Sequence, residues 1–464
     1  MARALPRSAS LRARRWDVLV LGGALSGLAA AVRLGSKGLR VCVVEEDEAA
    51  RRPSFLREPF FLPGLGGKGP LDAALRELGL PPIERRDLVI DPVAFQVLLP
   101  DARVDVGRAD LLGSELVSWG LAKPEEAERF VEAIAAAGEA AELRIGSLEW
   151  IRRGGLRGLA RGGREAEPMP PLPELLRAPP PKLAPLLAAW TRACAGPAHA
   201  ALPPEALARL LAAPLAGGAC FARPDTGLRA LLQRRIESLH GEFRSLSGPF
   251  RLVELGEDPG VTRIAQDDVW LGRALILNAP AARIGAALRS HGQEAPRWLD
   301  GPAPAAREVR IHARALRDAV PEPLARRAVL ASAPSGCGST DWPVTLLQEP
   351  SARGPQFVEL VAGAVFPADH DASAAEDTLA RSLGALLPFA GNRVRRANTL
   401  PQPLWDDESA RFEALPGGWP FGLELRASRR AVYRLGREHV AALGAEGEIL
   451  LGVRAGDAIL ADLA

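Results

Sequence analysis

Lysine is nearly missing from this chain of 464 residues: it occurs only at Lys37, Lys68, Lys123 and Lys182, and the other basic residues are arginine. Tyrosine occurs once, at Tyr433, methionine twice and cysteine four times. Cys42, Cys194, Cys220 and Cys337 are far apart and make no CxxC or metal-type spacing, which argues against a disulfide framework and points to a reduced, cytoplasmic protein. The six histidines form no HxH or HxxxH pair, so no metal site is expected. A net charge of +2, spread along the chain, provides no electrostatic basis for nucleic-acid binding. No apolar segment after residue 40 is long enough to span a bilayer. The arginine skew, with abundant Ala, Gly and Pro, reads as codon bias in a GC-rich bacterial genome.

What is present is a globular composition, 47% hydrophobic and 25% charged, in a chain long enough for two domains or for one with a large insertion. The first fifteen residues carry Arg3, Arg7, Arg12, Arg14 and Arg15 and no acid, ahead of an apolar run from Val18 to Leu34. That outline suits a signal peptide, but the glycines inside the run and its continuation into Arg33 and Lys37 suit a strand, a turn and a buried helix better. Residues 1–15 are then a disordered extension.

Asp17 to Leu21 (DVLVL) reads as a strand, Leu25 to Leu34 as an Ala-rich helix and Arg40 to Val44 (RVCVV) as a second strand, together a right-handed β-α-β unit. The turn between them, Gly22-Gly23-Ala24-Leu25-Ser26-Gly27, has the spacing of a dinucleotide-binding loop. There the first glycine permits a tight turn, the second lets a pyrophosphate approach the backbone amides, and the third lets helix and strand pack closely. Ala24 stands at the second place. Glu45, 23 residues after Gly22 and followed by Glu46, is where a carboxylate would bond the adenosine ribose. Further on, Pro124 to Leu143 reads as helical and residues 153–183 as a Gly- and Pro-rich loop. Phe250 to Leu255, Val261 to Ile264, Leu275 to Asn278, Glu308 to Leu316 and Phe357 to Phe366 read as strands, and Glu448 to Gly452 as a last strand running into a terminal helix.

DVLVLGGALSGLAAAVRL with GLRVCVVEE, FFLPGLGGKGPLDAALRELGL (Phe60 to Leu80), RPDTGLRALLQRRIESLHGEFR (Arg223 to Arg244) and RALILNAPAA (Arg273 to Ala282) resemble the FAD segments of the phytoene desaturase-like branch of the FAD-dependent amine oxidase superfamily. The resemblance implies an α/β fold, an FAD-binding Rossmann-like (GR2-type) domain with an interleaved α+β substrate-binding domain. Its expected division is 16–85, 216–300 and 401–464 for the FAD-binding parts, and 86–215 and 301–400 for the substrate domain. It also implies non-covalent FAD held by Gly22, Gly23, Ala24, Leu25, Ser26, Gly27, Glu45, Glu46, Arg52, Gly66, Gly67 and Phe250, with the adenine at the Phe250 backbone. A C-terminal motif is expected at Gly452-Val453 or Gly456-Asp457. The chain departs from the family at Ala24, at Arg51-Arg52-Pro53 where Gly-Gly-Arg is usual, and at Val453 where an acid is usual.

The implied activity is hydride transfer from a small apolar, isoprenoid-like substrate to flavin. Amine oxidation is disfavoured, because relatives that perform it use a lysine from the later half of the chain and tyrosines around the amine. Trp405, Trp419, Phe421 and Tyr433 precede the terminal segment and are expected as core or pocket wall; His312 and His370 are expected to be structural. Leu172 to Trp190 is a candidate for peripheral membrane contact. Two alternatives stand beside this reading: a divergent flavin-fold protein that has lost cofactor binding and acts as a non-catalytic partner, and an NAD(P)-binding oxidoreductase.

Overall fold

A computed structural model describes residues 12–63, 70–147, 149–152, 171–195, 202–223, 226–264, 268–331, 343–397, 403–412, 422–428, 431–440 and 443–464. Two sheets organise them. The first is built from β1 (Arg12–Leu21), β2 (Val41–Glu46), β7 (Glu242–Leu246), β8 (Phe250–Leu255), β9 (Asp258–Arg263), β10 (Asp268–Leu277) and β17 (Val432–Arg434), in the order β7-β2-β1-β10-β9-β8 with β17 beside β10. Pairing is parallel except in the β8-β9-β10 meander. Both faces of the parallel part are covered, so Val18–Leu21 and Val41–Val44 are buried throughout, as unbroken apolar runs in such sheets require. β1 is longer than the DVLVL run: Arg12 to Arg15 pair with Asp268 to Leu271, so the extension expected over 1–15 is already strand at its end.

The second sheet is formed by β4 (Val93–Leu98), β5 (Arg103–Gly107), β11 (Ala306–Leu316), β12 (Arg327–Leu330), β13 (Val344–Pro350), β14 (Phe357–Pro367), β15 (Val394–Arg396) and β16 (Ala410–Arg411). It is antiparallel apart from the β12–β4 pair. β3 (Leu88–Asp91) and β6 (Gly218–Phe221) form a short ribbon. Helices Pro124–Ser147, Ala184–Ala195 and Pro204–Ala212 pack near β4, with Phe95, Phe130 and Trp190 at their core. Leu172, Leu176, Leu183, Leu186, Leu187 and Trp190 belong to that core. Among the described residues no helix is long and apolar enough to cross a membrane.

The C-terminal stretch differs from expectation. Glu448 to Gly452 is not a strand: it lies inside one helix, Gly444–Leu463, while the strand that closes the first sheet is β17, beginning at Val432. An apolar run such as EILLG fits a buried helix or a strand equally well by pattern, and packing decides. The C-terminal helix lies along α1 (Leu25–Gly35), whose Ala29, Ala30 and Ala31 are buried. A Cβ on Gly452 would come 2.2 Å from the Ser26 carbonyl oxygen, and one on Gly456 2.9 Å from the Arg33 side chain. Val453 is buried on the same helix, and Asp457 pairs with Arg33 at 2.7 Å. The Gly452 to Asp457 stretch therefore serves a close helix–helix contact.

Candidate functional site

The glycine loop sits where β1, β2, β10 and β17 end. Gly22 has φ +108°, a left-handed value that suits glycine, and a Cβ there would meet the Asn278 carbonyl oxygen at 2.6 Å. Asn278, just past β10 and fully buried, staples the loop from inside. Its Oδ1 accepts the Gly27 amide at 2.8 Å, and its Nδ2 donates to the Gly22 and Ala24 carbonyls at 3.1 and 2.7 Å. Gly27 must lack a side chain because a Cβ would stand 2.1 Å from Asn278 Cγ. The Ser26 hydroxyl donates to the Leu435 carbonyl at 2.6 Å, tying the loop to the end of β17. Ala24 is the N-cap of α1 and makes no side-chain cap bond; among the described residues the amides of Leu25 and Ser26 reach no protein acceptor. Two unpaired N–H groups at the positive end of a helix favour an anion.

Around this helix end lies a buried set of charges. Glu45, at the end of β2, pairs with Arg229 from the helix Leu228–Ser238. Arg229 Nη1 is 3.6 Å from Glu408, which Arg57 Nη2 approaches to 2.7 Å, and Arg437 donates to the Glu408 carbonyl at 2.5 Å. Arg437 Nε also reaches Glu448 at 3.0 Å, and Arg57 lies 3.8 Å from Asp406. The Gly23 amide donates to Asp406 Oδ2 at 3.1 Å. Glu46, beside the ribose position, accepts three successive amides, those of Leu404, Trp405 and Asp406, at 2.6, 2.8 and 3.0 Å. Trp405 packs on Phe250 with ring centroids 5.7 Å apart, in the region where the adenine is expected. The segment Leu404–Glu408 thus crosses the whole nucleotide end of the sheet.

Burial alone would raise the Glu408 carboxyl; Arg57, Arg229 and Arg437 outweigh it and hold the group at about 2. Asp406 is raised, burial being the larger influence and Arg57 opposing it. Glu58 accepts the amides of Leu228 and Arg229 at 2.9 and 3.2 Å, yet burial outweighs these bonds and lifts it to about 7.

From this cluster a cavity of about 240 Å³ runs towards the second sheet. Leu56, Phe60, Phe61, Leu210 and Ile311 line its apolar side, and Arg52, Glu308, Arg310, His312 and Arg411 its polar side. His312 is held by Glu359 at 2.7 Å and by the edge of Phe55, while His370 stacks on Phe366 away from the cavity. Among the described residues no lysine or tyrosine lines it. Tyr433 is buried in β17, its hydroxyl donating to Asp462 at 2.9 Å. Cys42 is buried and Cys194 partly buried, and each thiol is raised to about 12, chiefly by desolvation.

Of the residues singled out in the sequence, Gly22 to Gly27, Glu45, Glu46 and Phe250 come together here, and Arg52 lines the cavity. Gly452, Val453, Gly456 and Asp457 lie along α1 in the C-terminal helix, Gly452 against the Ser26 carbonyl. Gly66, Gly67, Trp419 and Phe421 lie outside the described residues. Sequence reasoning missed Arg57, Arg229, Asn278, Asp406, Glu408 and Arg437. The available signals were slight: a charge one residue into an otherwise apolar helix start, and an acidic triplet after a tryptophan.

The sequence matches no protein family and no curated protein. Among solved structures the chain is similar to putrescine oxidase bound to putrescine, with 16% identity over 97% of this chain and 100% of that one and a TM-score of 0.57. It is also similar to cyclohexylamine oxidase from Brevibacterium oxydans, with 16% identity, 97% and 99% coverage and a TM-score of 0.54. An oxidoreductase from Methanosarcina mazei matches at 13% identity, 93% and 99% coverage and a TM-score of 0.54. At such identities the likeness shows the fold alone: a Rossmann-like domain with an interleaved α+β domain, the architecture of these oxidases.

The residues fit a dinucleotide in kind. The Gly23 amide and Arg57 approach the Asp406 carboxylate, Arg57 and Arg229 approach that of Glu408, and Arg437 holds the Glu408 carbonyl, an arrangement suited to two negative charges beside a helix N-terminus.

Proposed function

We propose that this chain is an FAD-dependent oxidoreductase acting on a small substrate with a largely apolar body. The α1 N-terminus carries the reading: Leu25, whose amide meets no acceptor among the described residues, lines the same cavity as Arg57 and Arg437, and the Gly23 amide shares Asp406 with Arg57. Arg57, Arg229 and Arg437 would hold the pyrophosphate and Glu45 the adenosine ribose. When bound, the flavin would supply the hydride acceptor. The chain's own part is to bind and to exclude water. Phe60, Phe61, Leu56 and Leu210 would hold the apolar body, and Arg310 and His312 would set its polar end. The absence of lysine and tyrosine from the described cavity wall favours dehydrogenation of such a molecule over oxidation of an amine.

The visible spectrum of the purified protein, before and after incubation with FAD and desalting, tests this. Flavin bands near one per chain are expected; a protein that stays colourless refutes it. One observation favours the non-catalytic alternative, namely that Glu45 and the Gly23 amide are already engaged by Arg229 and Asp406. The same spectrum decides between the two readings.

A further inference from the structure

We infer that the segment Leu404–Glu408 is an internal stand-in for the nucleotide, occupying the diphosphate position itself, so that a dinucleotide binds only by displacing it. The inference rests on reading this site as a dinucleotide site.

Each portion of the segment meets a group that a nucleotide would use. The Trp405 indole lies on Phe250, and the amides of Leu404, Trp405 and Asp406 occupy Glu46. The Asp406 carboxylate takes the Gly23 amide, and Glu408 takes Arg57, Arg229 and Arg437. A diphosphate entering while Asp406 and Glu408 remained would place two further negative charges in a buried site whose arginines are already paired, and like charges at that distance exclude one another. If the segment leaves, it frees Arg57 and the Gly23 amide and leaves Arg229 and Arg437 each with one carboxylate, Glu45 and Glu448. Displacement is reversible and involves no covalent change. Its consequence is that affinity for the cofactor is set by competition within the chain, not by the loop alone.

The test compares the wild type with the Asp406→Asn, Glu408→Gln double variant, which keeps shape and removes both charges. Binding of FAD, ADP and inorganic pyrophosphate is measured by titration calorimetry. The variant is expected to bind FAD about tenfold tighter or more, within the usual range of coupling between two sites. FAD binding that is measurable in both proteins and equal or weaker in the variant overturns the inference and leaves the FAD reading standing. Tighter ADP and pyrophosphate binding with no FAD binding supports the inference and overturns the FAD reading. No binding of any ligand by either protein overturns both. If the variant does not fold, hydrogen exchange of the wild-type peptide spanning 403–412 decides. Exchange at the Leu404, Trp405 and Asp406 amides should rise on adding millimolar FAD or ADP, and unchanged exchange overturns the inference.

Discussion

The two neighbours of α1 are built on opposite principles. Along its length it meets the C-terminal helix through glycine and alanine, with no charge in the contact until Arg33 and Asp457 at the rim. At its N-terminus it meets a concentration of buried carboxylates and guanidiniums. The first contact tolerates no added volume, because a Cβ at Gly452 runs into backbone. The second tolerates no unbalanced charge, because each group is stable there only while its partner is present. Glycine occurs in both for different reasons, at Gly22 for its left-handed φ and at Gly452 for close helix packing.

The largest effect should come from unbalancing the charged end. Glu45→Ala leaves Arg229 buried with only more distant carboxylates, Glu408 at 3.6 Å and Asp406, and should cost about 3–5 kcal/mol in urea unfolding. It should also lower FAD retention. Glu45→Leu with Arg229→Met should recover most of that stability; if it does not, packing and not charge governs this end.

Next is a pH effect that separates two buried glutamates. Glu58 is raised by burial from 4.5 to about 7 in the folded state. Between those values the folded protein keeps a proton that the unfolded chain has released, so stability falls as pH rises through the window, by up to about 3 kcal/mol. Glu408 is depressed to about 2, so its contribution is present above its unfolded value and is lost as pH falls towards 2. Urea midpoints across pH should show both slopes, and Glu58→Gln should flatten only the upper one. An unchanged upper slope in that variant would mean that another group titrates there.

Smaller effects distinguish the two kinds of glycine. Gly452→Ala and Gly27→Ala should each destabilise by about 1–3 kcal/mol through overpacking. Adding Asn278→Ala should offset part of the Gly27 effect, since the obstructing atoms are side chain. Beside Gly452 the obstruction is the Ser26 carbonyl, so no truncation at Ser26 should help. Equal coupling in thermal denaturation would break the distinction. Smallest is Asp457→Ala, which removes a half-exposed pair with Arg33, should cost under about 1 kcal/mol and should leave FAD affinity unchanged.

Much of the fold was legible because its requirements are local. The β-α-β unit at the start needs unbroken apolar strands, a turn with glycine at Gly22 and small helix residues, and all of these are visible in one dimension. The strands at Phe250–Leu255 and Phe357–Phe366 were equally visible. β17 was not, because Val432–Arg434 is three residues long and is held by pairing with β10, with no pattern of its own. Of the site, the loop and the two acids at the end of β2 could be read directly. Their partners could not, since Arg229 lies 184 residues from Glu45 along the chain and Asp406 lies 383 from Gly23.

The sequence by itself determined the shape of the glycine loop and the place of Glu45, since backbone conformation and strand periodicity are set by neighbouring residues. Only the tertiary structure decided that Arg229 meets Glu45, that Asp406 takes the Gly23 amide, and that Gly452 and Gly456 serve packing. Those outcomes depend on which distant side chains are brought within a few ångströms in a medium where charges must be paired, and spacing along the chain carries no record of that.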